Sequence, residues 1–130
     1  MDVFIRNSIE NDWELLELKH ICQPVRINQG IPVFKTKIYS AIEQLKNYGN
    51  LLKQDAIKTK LSKLGIDYFE PELKLVITKK PDINNQQWRW LKKNNENGIK
   101  IMTLDDIFAE VNLRYNSQIS LLDDLSNANY

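Results

Sequence analysis

The chain is poor in the residues that most often announce chemistry. Its 130 residues include one cysteine, Cys22, and one histidine, His20. A single cysteine excludes an intrachain disulfide and a cysteine-rich zinc site, and it suits a reducing, cytoplasmic setting. A single histidine excludes His-pair metal motifs and leaves a Ser-His-Asp triad little support. There is no glycine-rich phosphate loop, so a nucleotide-binding doubly wound fold is not expected. No apolar run approaches the ~20 residues of a membrane span. The opening residues carry Asp2 and Arg6 and do not read as a secretory signal. No membrane partner is therefore expected, and no internal repeat is visible.

What is present is the composition of one globular domain, 42% hydrophobic and 27% charged in 15.3 kDa. The net charge of +1 argues against a strongly basic nucleic-acid binder until it is divided along the chain. Residues 1–34 hold three Lys/Arg and five Asp/Glu; residues 35–100 hold fourteen and seven; residues 101–130 hold one and five. A basic middle, able to meet a polyanion, lies between two acidic ends.

Residues 2–6 and 13–19 read as strands, rich in Val, Ile, Phe, Leu and Trp and joined by a polar turn. Pro24, Gly30 and Pro32 make 20–36 a loop with a short strand at 31–34. Ile38, Ala41, Ile42, Leu45, Tyr48 and Leu52 form one apolar stripe over a helix at 37–54, with Thr36 as its N-cap. A second helix spans 55–64 with Ile57, Leu61 and Leu64 inward, and Gly65 follows it. A strand at 73–78, a helix from Pro81 and Asp82 to about 95, and a strand at 99–103 come next. Thr103 and Asp106 have capping-box spacing for a helix at 104–115. The expected fold class is α/β: a mixed sheet that starts with an antiparallel hairpin, continues in parallel strands, and is flanked by helices. The expected domain is 1–115, with 116–130 a C-terminal helix and tail. The tail's Leu121, Leu122 and Leu125 would dock on the chain's own sheet or on a second subunit.

The informative constellation is Asp2, Glu17 and Lys19. Glu17 and Lys19 share one strand face. If the hairpin pairs Asp2 with Glu17, Phe4 with Leu15 and Arg6 with Trp13, two carboxylates stand roughly 5 Å apart at Cβ. They repel unless a cation separates them, and oxygen ligands suit Mg²⁺ or Mn²⁺. A metal, a water and the Lys19 ammonium near a scissile phosphate make a hydrolytic site. The same residues also fit a cross-strand salt bridge on an exposed sheet face. Glu72-Leu73-Lys74 repeats the Glu-x-Lys pattern without an acidic hairpin partner, so the triplet by itself carries no weight.

Asp2-Val-Phe-Ile-Arg, the fourteen residues between Asp2 and Glu17, and Trp13-Glu-Leu-Leu-Glu17-Leu-Lys19 resemble the signature of the PD-(D/E)xK nuclease superfamily. More narrowly, they resemble the nuclease domain of Shedu-type bacterial anti-phage defence proteins. The helix with Gln44 and Tyr48, the strand Leu75–Lys79 and the segment Ile101–Asp106 extend the likeness over about residues 2–110. The resemblance implies a restriction-endonuclease-like core and a Mg²⁺-dependent DNA endonuclease. Asp2, Glu17 and the Leu18 carbonyl would bind metal, Lys19 would serve the attacking water, and Gln44 would assist. Two features depart from the family: Met1 stands where proline is usual, and no helix precedes the first strand. The expectation is that activity needs further sequence upstream or a partner subunit. The alternative function is a noncatalytic nuclease-fold module for nucleic-acid binding or subunit assembly.

Lys79 and Lys80 follow a strand end, where ligands approach open sheets, and with Arg89 they are the candidate DNA contacts. Trp88 and Trp90 could stack on bases, but core packing is the expectation. His20 is expected to be structural. Asp105 and Asp106 suit a helix N-terminus.

Overall fold

The computed structural model describes residues 2–7 as backbone and residues 13–113 in full. The expected C-terminal helix and tail, 116–130, lie outside the described residues. The elements run β1 (Asp2–Asn7), β2 (Trp13–Lys19), β3 (Val25–Asn28), β4 (Ile31–Phe34), α1 (Thr36–Leu52), α2 (Asp55–Ser62), β5 (Glu72–Ile77), α3 (Asn85–Asn95) and β6 (Lys100–Thr103). A further helix, α4, occupies 104–113.

The main sheet has the order β1-β2-β5-β6. β1 is antiparallel to β2, whereas β2, β5 and β6 run parallel. This is the mixed α/β architecture expected, with a hairpin first and helical crossovers after it. Parallel strands cannot be joined by tight turns, so α1 and α2 carry the chain from the first hairpin towards β5, and α3 carries it to β6.

The core lies on one face of this sheet. Leu15 of β2, Leu75 and Ile77 of β5 and Ile101 of β6 meet Ile38, Ala41, Ile42 and Leu45 of α1 and Trp88 and Leu91 of α3. The α1 residues recur at three and four, so a single stripe turns inward. Gly49 belongs to the same helix face, and a Cβ there would sit 2.9 Å from Leu73 Cδ1. Helix α1 thus packs closely on β5.

Several expectations about element ends are corrected. Helix α1 begins at Thr36, its N-cap position is Lys35, and no side chain caps it. Helix α3 begins after Asn84, not at Pro81: the Asn84 side chain accepts from Gln87 N–H while the Gln87 side chain accepts from Asn84 N–H. Helix α2 buries none of its residues, and Leu64 beyond it is exposed rather than inward. The Thr103–Asp106 box forms as expected: Thr103 N–H donates to Asp106 Oδ2 at 2.9 Å and Asp106 N–H to Thr103 Oγ1 at 3.3 Å.

The segment 20–36 holds more order than a loop. β3 and β4 form a second, two-stranded antiparallel sheet with Asn28 across from Ile31. Both turn residues have positive φ, 51° at Gln29 and 79° at Gly30. That is the combination a two-residue hairpin turn needs to match strand twist.

Truncating the centre of the α1 stripe should be costly. Leu45→Ala removes a fully buried side chain and is expected to lower stability by about 3 kcal/mol. Asn84→Ala, which removes only the α3 cap, is expected to cost about 1 kcal/mol. Urea denaturation followed by circular dichroism measures both.

Candidate functional site

β2 is flanked on its edges by β1 and β5, and the four consecutive residues Glu14, Leu15, Leu16 and Glu17 are buried, so both of its faces are covered. It carries a glutamate of each parity. Glu14, of the Leu16 parity, is buried and bonded to Lys74 of β5, itself buried; Glu72 and Glu110 lie 3.7 and 3.9 Å from the same ammonium. Glu17, of the Leu15 parity, is fully buried on the other face. Among the described residues neither of its carboxylate oxygens has a hydrogen-bond partner. Among the described residues its ion-pair partner is Lys19, with Nζ at 4.0 Å.

Leaving water without a donor or partner costs an ion on the order of several kcal/mol. Burial accordingly pushes the Glu17 carboxyl above its ordinary value, and the Lys19 charge opposes that shift only in part. A salt bridge on an exposed face is not what the structure shows, because Glu17 has no solvent exposure. A desolvated carboxylate with two idle oxygens fits a bound cation. Among the described residues no three His, Cys, Asp or Glu side chains surround a common point.

The expected hairpin forms, but its register is shifted by one. Asp2 stands across from Leu18 and Val3 across from Glu17, while Phe4 faces Leu16 and Arg6 faces Glu14. The side-chain period of a strand is two, so one residue of slip exchanges the parities. The direct Asp2–Glu17 opposition is therefore not the pairing of this sheet. Asp2 remains at the same end of the hairpin as Glu17, and its side chain lies outside the described residues. Leu18, the expected carbonyl ligand, lies between Asp2 and Val76 in the ladder.

Gln44 is half-buried on α1, the helix that packs on β2 and β5. Its amide does not donate to Glu17, whose oxygens accept nothing. Lys79 and Lys80 are exposed just past the end of β5, and Lys80 bonds to the Asn85 side chain. Arg89 is exposed on α3. Trp88 enters the core edge-on to Phe34, with centroids 6.1 Å apart. Trp90 is 48% exposed, as two tryptophans two residues apart on a helix point different ways and only one enters the core. His20 is structural in its contacts: Nδ1 is hydrogen-bonded to Thr78 Oγ1 at 3.1 Å, beside the bond from Thr78 N–H to the Lys19 carbonyl at 3.2 Å. These two bonds tie the carboxyl ends of β2 and β5 together next to Lys19.

Sequence reasoning missed the β3–β4 hairpin. The signal was Asn28-Gln29-Gly30 between two short apolar segments, masked by Pro32. It also dismissed Glu72-Leu73-Lys74, which holds the buried partner of Glu14. A cleft of about 740 Å³ lies at the opposite end of the sheet around Lys53, Glu70 and Lys100. Lys53 and Glu70 pair within it at 3.1 Å, and Glu17 is not among its lining residues. In comparisons with known proteins, the sequence matches no family model and no curated protein.

A carboxyl whose pKa is raised on folding binds its proton more tightly folded than unfolded. Its contribution to stability is complete below the unfolded value and is lost as pH rises through the folded one. Glu17→Gln keeps the shape and removes the charge. The variant should match the parent at about pH 4, below the ordinary glutamate value of 4.5, and be the more stable of the two at about pH 7.5. Urea midpoints across that range test this.

Proposed function

We propose that this chain is the core of a metal-dependent DNA endonuclease acting in bacterial anti-phage defence, with a restriction-endonuclease-like fold. One observation carries the reading: among the described residues Glu17 is buried without a hydrogen-bond partner, with the Lys19 ammonium 4.0 Å away. On the same strand Glu14 shows what a structural glutamate looks like here, matched to a buried lysine. Glu17 is held in the opposite condition, charged by nature and deprived of donors, which is the state a cation relieves. The mixed sheet with its opening hairpin is the kind of core the resemblance implies.

Glu17 and the Leu18 carbonyl would hold Mg²⁺ or Mn²⁺; Asp2, set across from Leu18 and so of the opposite parity to Glu17, is not counted among the ligands. The bound ion supplies Lewis-acid polarisation of a phosphodiester. Lys19 would hold the attacking water by hydrogen bonding and offset the charge that grows on the phosphate. Lys19 is partly exposed, so it can reach a substrate while staying near Glu17. Gln44, on the helix that packs on β2, would contact substrate or a water rather than the carboxylate. Lys79, Lys80 and Arg89 would meet the DNA backbone.

The test is plasmid cleavage with Mg²⁺, with Mn²⁺ and with EDTA. Cutting is expected with either metal and not with chelator. Glu17→Ala and Lys19→Ala should each lower the rate by a factor of about 10²–10⁴ while keeping the parent's circular dichroism. Metal should also raise the melting temperature of the parent and leave that of Glu17→Gln unmoved. Binding of DNA that is indifferent to chelator, with no cutting under any condition, would replace the nuclease with the noncatalytic module.

A further inference from the structure

The β3–β4 hairpin is a separate two-stranded ribbon with a firm base and a free tip. Phe34 is buried against Trp88, and Lys35 N–H donates to the Pro24 carbonyl at 2.8 Å, closing the base. From Arg26 to Ile31 every residue is exposed, including Ile27 at 54% and Ile31 at 50%. The turn at Gln29 and Gly30 has positive φ at both residues, and a Cβ at Gly30 would meet nothing within 4 Å.

A cleft lies on each side of this ribbon. One, of about 500 Å³, is lined by Arg26, Lys35 and Lys37. The other, of about 390 Å³, is lined by Val25, Ile27, Lys79 and Lys80, with Asp82 the one carboxylate in its wall. Among the described residues Arg26, Lys35, Lys37 and Lys79 pair with no carboxylate. Two rows of uncompensated cations therefore flank an uncharged tip of Ile27, Asn28, Gln29 and Ile31.

That layout matches a double-helical groove. The major groove of B-DNA admits a two-stranded β-ribbon, and a phosphate backbone walls it on either side. We infer that the β3–β4 hairpin enters the major groove of duplex DNA, with one backbone received by the Arg26, Lys35 and Lys37 cleft and the other by the Lys79 and Lys80 cleft. The amides of Asn28 and Gln29 reach base edges, and Ile27 and Ile31 offer apolar contact to thymine methyl groups. Residues 20–24 connect the ribbon to Lys19, so Val25 lies no more than ~22 Å from it along the chain. A duplex seated on the ribbon therefore passes the Glu17–Lys19 edge. This inference rests on the reading of DNA as substrate and specifies which form of DNA is held, and how.

Fluorescence anisotropy with a labelled 30-base-pair duplex and a single strand of equal length, both in EDTA, tests it. Duplex should bind more tightly than single strand. The tip variant Asn28→Asp with Gln29→Asp should lose at least tenfold in duplex affinity. Lys37→Ala and Lys79→Ala, one from each cleft, should each reduce the slope of log affinity against log salt by about one. The ribbon is overturned if the tip variant loses less than tenfold, if only one cleft's lysine alters the slope, or if single strand binds as well as duplex. The two readings fail separately. A chain that binds in this way and cuts nothing in Mg²⁺ loses the nuclease and keeps the ribbon. A chain that cuts while its tip variant binds normally keeps the nuclease and loses the ribbon.

Discussion

The organisation of the molecule follows from the double burial of β2. This strand is hydrogen-bonded on both edges, to β1 and to β5, and covered on both faces, yet it carries carboxylates of opposite parity. On one face Glu14 and Lys74 bring their own compensation across the parallel ladder. On the other, apolar residues from α1 and α3 complete a core around Leu15, and Glu17 enters that environment without a donor. A buried carboxylate without a partner opposes folding. The Leu15, Leu75 and Ile77 packing beside it offsets that opposition, since burying each large aliphatic side chain contributes roughly 1.5–3 kcal/mol.

The same topology gathers functional groups at one edge. Because β2, β5 and β6 are parallel, their carboxyl ends emerge together, and the antiparallel β1 brings its first residues to the same side. Ligands of open α/β sheets meet the protein at such an edge. Here it presents Lys19, the His20–Thr78 clasp, and Lys79 and Lys80, with the β3–β4 ribbon rising beside them. The basic middle of the chain is thereby divided: Lys53 and Lys100 stay at the far end among glutamates, while Lys35, Lys37 and Lys79 beside the ribbon pair with no carboxylate among the described residues.

Much of the fold was legible because its signals are local. The α1 stripe, the Thr103–Asp106 box and the apolar run of β5 each declare themselves within a few residues, and the structure keeps them. The misplaced ends have local causes as well. Asn84 outcompetes Pro81 as a start for α3 because Gln87 completes a reciprocal cap, and helix α2 sits on the surface with its apolar residues only half covered. The hairpin at 25–34 was obscured because Pro24, Gly30 and Pro32 all read as breakers, whereas Gly30 serves the turn and Pro32 is accepted in a strand that pairs on one side only.

The sequence by itself determined that Glu17 and Lys19 share a strand face, since alternation along a strand is covalent geometry, and that an antiparallel hairpin opens the sheet. It also determined the order of helices and strands that makes the rest of the sheet parallel. Only the tertiary structure decided the register that sets Asp2 across from Leu18, because one residue of slip leaves the hydrophobic run intact while exchanging its faces. Only the tertiary structure separated Glu14, held by Lys74 from 60 residues away, from Glu17, three residues further along the same strand. Which buried charge meets a partner is settled between strands distant in the chain, and pattern along one strand carries no record of it.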